Sequence, residues 1–147
     1  MKKMMKLGSL ILVLALLLAP SAQAASMSYE VEQMETFEQG VTVERTIVVF
    51  ESFSRSSTKR ATITDTYKNN GTIIATVSLD VTFGYDGSTS WVVSKTSSST
   101  VYGGWSYTSE KISTSGGNVS LSATLKKGIS SAPVSMSLVC SRSGAIS

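Results

Sequence analysis

Apolar and polar positions alternate most regularly over residues 71–95, GTIIATVSLDVTFGYDGSTSWVVSK. Ile73, Ala75, Val77, Leu79, Val81 and Phe83 recur at every second position. Thr72, Thr76, Ser78, Asp80 and Thr82 lie between them, and Ile74 is the one apolar exception. Successive side chains of a strand point to opposite faces, so the run predicts a long strand with one apolar and one hydroxyl-rich face. Such a strand needs neighbours to pair with and a second layer over its apolar face. Tyr85-Asp86-Gly87-Ser88 then predicts a turn, and residues 89–95 a returning strand.

The same pattern recurs on both sides. Residues 41–51, VTVERTIVVFE, are rich in β-branched side chains and predict a strand, and residues 61–67 alternate with Thr62, Thr64 and Thr66 on one side. Asn70-Gly71 between two such runs is a strong hairpin signal, because both residues tolerate positive φ. Residues 96–100 read as a serine-rich loop, 101–107 as an aromatic segment bent at Gly103-Gly104, and 110–114 as a short strand. Ser115-Gly116-Gly117-Asn118 predicts another turn. Val119, Leu121, Ala123 and Leu125 mark the next strand, which Lys126-Lys127-Gly128 stops. Pro133 opens the last strand, over 134–140. Short strands with evenly spaced turns predict an all-β fold, an antiparallel β-sandwich of immunoglobulin-like type with about seven to eight strands. Residues 26–39 suit either a strand or a short helix, and their glutamates also suit a mobile arm.

The N-terminus changes the compartment. Three lysines within residues 1–6, an apolar run over 7–19, Pro20 and then Ala22-Gln23-Ala24 are the parts of a secretory signal peptide cleaved after Ala24. The run is short for a membrane span, and nothing after it is apolar enough for one. The expected organisation is therefore a signal peptide over 1–24, an acidic arm with one strand and a serine-rich linker over 25–60, and a sandwich domain over 61–147. The expected location is extracellular. Lys2, Lys3 and Lys6 leave with the signal, so residues 25–147 carry 10 basic and 10 acidic side chains. A net charge near zero argues against a nucleic-acid partner. Serine and threonine supply 42 of those 123 residues, which suits solvated strand faces and turns.

Histidine is absent, which removes Ser-His-Asp and Cys-His nucleophilic sites and the usual zinc sites. A two-carboxylate site would have to come from Asp65, Asp80, Asp86 and Glu110, and Asp86 already suits its turn. One acid in a turn is too few for calcium. The expectation is no catalytic residue, no metal and no cofactor. Cys140, the one cysteine, falls in phase with Val134, Met136 and Leu138 and is expected to be buried and inert. The aromatics carry the remaining signal. Trp91 beside Val92 and Val93 reads as core, whereas Trp105 after two glycines reads as exposed. Trp105, Tyr107 and Tyr102 are the candidate ligand-binding residues, suited to stacking on sugar rings. Lys59-Arg60 reads as a solvated basic pair rather than a processing site.

Lys59-Arg60-Ala61, Phe83-Gly84-Tyr85-Asp86-Gly87, Leu125-Lys126-Lys127-Gly128 and Leu138-Val139-Cys140 resemble small secreted β-sandwich proteins of Gram-positive, Clostridia-like bacteria, over residue 60 to the C-terminus. The resemblance implies compartment and fold, and no activity. It also implies a second cysteine just after the turn at Asp86-Gly87, where this chain has Trp91, Val92 and Val93. The expected function is a secreted, non-catalytic binding module for an extracellular glycan or protein. A bacteriocin-like or membrane-active factor is the alternative, since long alternating strands also build membrane barrels.

Overall fold

Asn70 and Gly71 adopt φ values of 49° and 83°, the pair of positive angles that a two-residue type I′ hairpin turn requires. They join two of the longest described strands. The computed structural model describes residues 26–36 by their backbone, and residues 40–51 and 57–147 in full. The expected signal peptide and most of the serine-rich linker lie outside the described residues.

Eight strands are described: β1 (Ser26–Thr36), β2 (Val41–Glu51), β3 (Thr58–Asn69), β4 (Thr72–Tyr85), β5 (Ser90–Val101), β6 (Ser106–Ser115), β7 (Asn118–Lys127) and β8 (Ser130–Val139). They form a five-stranded sheet in the order β1-β2-β3-β4-β5 and a three-stranded sheet in the order β6-β7-β8, antiparallel throughout. The expected all-β, two-sheet architecture is present. Every strand neighbours its predecessor within its sheet, so both sheets are meanders. An immunoglobulin-like sandwich instead has Greek-key connections, and that finer part of the expectation does not match this strand order. From Asn69 to Ser130 each connection is only two or four residues long, too short to reach past the neighbouring strand of a sheet.

The apolar phase of β4 is the floor of the core. Ala75, Val77, Leu79, Val81 and Phe83 are fully buried. With Ala61, Ile63 and Tyr67 of β3 they share one cluster with Val119, Leu121 and Leu125 of β7 and Val134, Met136 and Leu138 of β8. A fully buried side chain of this size contributes about 1.5–3 kcal/mol. Cys140 joins the cluster as expected, 2% exposed, and burial pushes its thiol pKa up.

Four details differ from the sequence reading. A bulge between Tyr67 and Lys68 of β3 pairs Tyr67 with Ala75 and Lys68 with Ile73. Ile74 is the extra residue, so Ile74 is buried while Ile73 is 45% exposed. Residues 96–100 are the second half of β5, not a loop, because their hydroxyl side chains suit an edge strand with little core to cover. The 25–60 segment is not a separate arm, since β2 pairs with β3 from Val41 to Phe50 and Val41 and Val43 enter the core. Of the strand and helix readings, residues 26–36 form a strand, β1, and residues 37–39 lie outside the described residues. Lys59 and Arg60 lie within β3, and their side chains pair with Glu51 and Asp80.

Two of the edge strands, β5 and β8, carry features that discourage further pairing. Lys95 of β5 pairs with buried Val81 and so falls on the inward phase of an edge strand. Pro133 lies in edge strand β8, where a missing N–H costs no ladder bond. Arg45 of β2 reaches across the sandwich and donates from Nη2 to the Ser135 carbonyl of β8 at 2.7 Å. The same guanidinium grips Asp65, which is 0% exposed, through Nε–Oδ1 and Nη2–Oδ2 bonds of 2.7 Å each. The Tyr67 hydroxyl donates to the same carboxylate at 3.4 Å. Burial, then the negative charge of Asp65, pushes the Tyr67 phenol pKa well above its usual value.

Candidate functional site

The outer face of the five-stranded sheet follows from the register. Four rows cross β2, β3, β4 and β5: Glu44–Thr66–Thr76–Thr100, Thr46–Thr64–Ser78–Ser98, Val48–Thr62–Asp80–Thr96 and Phe50–Arg60–Thr82–Ser94. These are the residues between the core positions of each strand, so a face alternating with a buried one becomes an array of hydroxyls. Some hydroxyls bond within the array, as Thr64 Oγ1 does with Ser78 Oγ at 2.9 Å.

Trp91 closes the array at the β4–β5 turn. Thr82 pairs with Ser94 and Phe83 with Val92, leaving Val93 as a bulge, while Gly84 pairs with Trp91. The bulge puts Trp91 and Ser94 on the same outer face although they are three residues apart. A Cβ built on Gly84 would fall 2.3 Å from Trp91 Cε2 and 2.5 Å from Nε1, so the indole lies across the glycine backbone. An aromatic ring covering a strand glycine is a known stabilising device. The side chain is still 42% exposed, which leaves an open aromatic surface beside the hydroxyl rows.

Next to that ring, Arg60 donates from Nε to both oxygens of Asp80 at 2.9 and 3.0 Å, and Thr62 Oγ1 donates to Oδ2 at 2.9 Å. The Arg60 guanidinium stands 5.0 Å from the centroid of the Phe50 ring, a cation–π distance. The hydrogen bond from Arg60, with help from Thr62, lowers the Asp80 pKa below the ordinary carboxylate value, and the Arg60 pKa rises in turn. A carboxylate with a lowered folded-state pKa contributes stability above the unfolded pKa, and that contribution is lost as pH falls through the folded value. Acid unfolding of Asp80→Asn should therefore show a shallower pH dependence than wild type below about pH 4. An identical slope in both proteins would remove Asp80 from the acid transition.

The three candidates expected from the sequence are not brought together. Trp105 is 7% exposed and belongs to the core. Gly103 and Gly104 take φ of 61° and 78° and form a tight turn closed by Trp105 N–H to Tyr102 carbonyl at 3.1 Å. The chain thus re-enters the sandwich at Trp105, and this indole is structural. Tyr107 is half-buried, and its hydroxyl donates to Glu110 Oε2 at 2.7 Å, while Ser97 Oγ donates to Oε1 at 2.8 Å. Burial and the bond to Glu110 push its phenol pKa up. Tyr102 is exposed at 49%, but its N–H donates to the Ile74 carbonyl, at the far end of β4 from Gly84. Trp91 and Trp105 are each found in the environment expected for the other. No signal within its own stretch marks Trp91, because its place opposite Gly84 depends on the register that the Val93 bulge sets between β4 and β5.

The acids are likewise dispersed. Asp65 lies inside, Asp80 on the outer face, and Glu110 at the β6 bulge. Asp86 accepts at Oδ1 from the backbone N–H groups of Thr89 at 2.7 Å and Ser88 at 2.8 Å, the bonds of its own turn, which lower its pKa. Among the described residues no group of three or more acids or cysteines could hold a metal, and no helix is long and apolar enough to cross a membrane. Comparisons with protein-family models, curated proteins and solved structures find no match to this chain.

Proposed function

We propose that the protein is a secreted, non-catalytic binding module that holds an extracellular glycan on the outer face of its five-stranded sheet. The observation that carries this reading is Trp91, with its ring against Gly84 and 42% of the side chain open, at the head of the hydroxyl rows. A sugar ring offers an apolar C–H face to such an indole, and its hydroxyls match the donors and acceptors of Thr82, Ser94, Thr96 and the Asp80–Arg60 pair. The Ser98, Thr100 and Thr76 hydroxyls continue the same surface. Secretion rests on the signal-peptide pattern at residues 1–24.

The test is retention on insoluble cell-wall and dietary polysaccharides. Wild-type protein is expected to bind at least one, and Trp91→Ala to lose roughly tenfold or more in affinity, as for a central aromatic anchor. Gly84→Ala is a second variant, because the added Cβ has to displace the Trp91 ring, and it should weaken binding while keeping the indole. Both variants should keep the wild-type fold by circular dichroism. Undiminished retention in Trp91→Ala would move the site off this face, and no retention of the wild type would overturn the reading.

A further inference from the structure

We infer that the glycan is an uncharged polysaccharide, bound along the strands of this face, and not an anionic cell-surface polymer. The inference rests on the reading of the outer face as a glycan site and adds the ligand's charge class and extent. Four of the side chains that the register places on this face of β2 to β5 are charged: Glu44, Arg60, Lys68 and Asp80. They are two cations and two anions, and each cation already has its anion. Lys68 Nζ donates to Glu44 Oε2 at 3.0 Å, and both nitrogens of the Arg60 fork go to Asp80. An anionic polymer would have to compete with Asp80 and Glu44 for those cations, and would meet both carboxylates as repelling charges. A neutral polymer meets a face whose charges cancel within it and whose other groups are mostly hydroxyls, with the Trp91 indole, Val48 and Phe50.

The extent follows from the rows. Gly84, under Trp91, and Thr76 of the last full row are eight residues apart on β4, which is about 27 Å at ~3.4 Å per residue. Hydroxyl rows fill that length at two-residue steps, so the face presents a chain-length track and not a single-sugar cavity. This arrangement suits a polymer contacted at several successive units, with Trp91 anchoring one end.

The decisive measurement is binding of the full protein to neutral polymers (cellulose, chitin, β-glucan) and to acidic ones (polygalacturonate, teichoic-acid-bearing wall), at 50 and 500 mM NaCl. An uncharged ligand predicts retention on a neutral polymer that changes less than about twofold across this range. Contact of even two cations with a polyanion would lose on the order of 25–60-fold over the same tenfold change in salt. Thr76→Lys or Ser98→Lys gives a second check. It adds an unpaired cation to the track and should create acidic-polymer binding that salt abolishes. Strong retention by the wild type on an acidic polymer alone, lost at 500 mM NaCl and lost in Trp91→Ala, would overturn the neutral assignment while leaving a glycan module in place. Retention on no polysaccharide at either salt would instead overturn the glycan reading itself, and the neutral assignment with it.

Discussion

Replacing Trp105 with alanine is expected to destabilise the protein by about 3–5 kcal/mol, the cost of removing a large aromatic side chain from a packed core. Trp105 is 7% exposed and shares the cluster of Leu125 and Phe83, so the deletion leaves a cavity and exposes none of the outer face. Native domains are stable by only 5–15 kcal/mol in general, and the variant should show a large drop in urea midpoint and a low refolding yield. Trp105→Phe keeps most of the volume and should recover much of the loss. Trp91→Ala is the contrasting case, with an expected change within about 1 kcal/mol because the ring covers one glycine and is already half in water. Equal urea midpoints for Trp105→Ala and Trp91→Ala would contradict the assignment of the two indoles to core and surface. The comparison also decides how a binding loss is read, since loss on replacing Trp105 reports unfolding, and loss on replacing Trp91 reports contact.

The second large effect concerns Asp65. Asp65→Ala removes the carboxylate from a guanidinium that bridges the two sheets, and should cost about 1–3 kcal/mol, because the Arg45 side chain is 26% exposed and water can take up part of its charge. Arg45→Ala should cost more, about 3–5 kcal/mol, since it abandons a carboxylate with 0% exposure and uncovers the Ser135 carbonyl on the β8 edge. The paired replacement Arg45→Met with Asp65→Leu should be far milder than the sum of the single changes, because no uncompensated buried charge is left. Chemical denaturation of the four proteins completes the cycle. Strict additivity would show that the pair does not act as a unit.

The alternation over residues 75–83 was enough to place the long strand, its buried face and its hydroxyl face, and Asn70-Gly71 enough to place its turn. Both signals are local, set by side-chain period and by φ. The exchange of roles between Trp91 and Trp105 was not readable in the same way. Trp91 has valines after it, which suggests core, but the bulge at Val93 and the pairing with Gly84 are properties of β4 and β5 together. Ile73 and Ile74 show the same limit, since one extra residue opposite Lys68 reverses which of them is inside. β2 read as a strand, yet its membership of the main sheet depends on β3, beyond a polar linker that looked like a boundary. Asp65 stood in an alternating run whose apolar members are buried, and its partner Arg45 lies 20 residues away.

The meander order has a consequence for how the chain assembles. From Asn69 onward, successive strands are separated by only two or four residues. The entropy of closing such short loops is small, and hairpins of this kind form in microseconds. Each strand can therefore add to its predecessor as soon as it is available, and among the described residues the step that joins distant parts of the chain is the docking of the β6–β7–β8 sheet onto the five-stranded one. A sandwich with Greek-key crossings has to fix long loops before its sheets exist, which is what makes such folds slow. This chain leaves that search to one late collision, so its folding barrier is concentrated in closing the sandwich and not in ordering its strands.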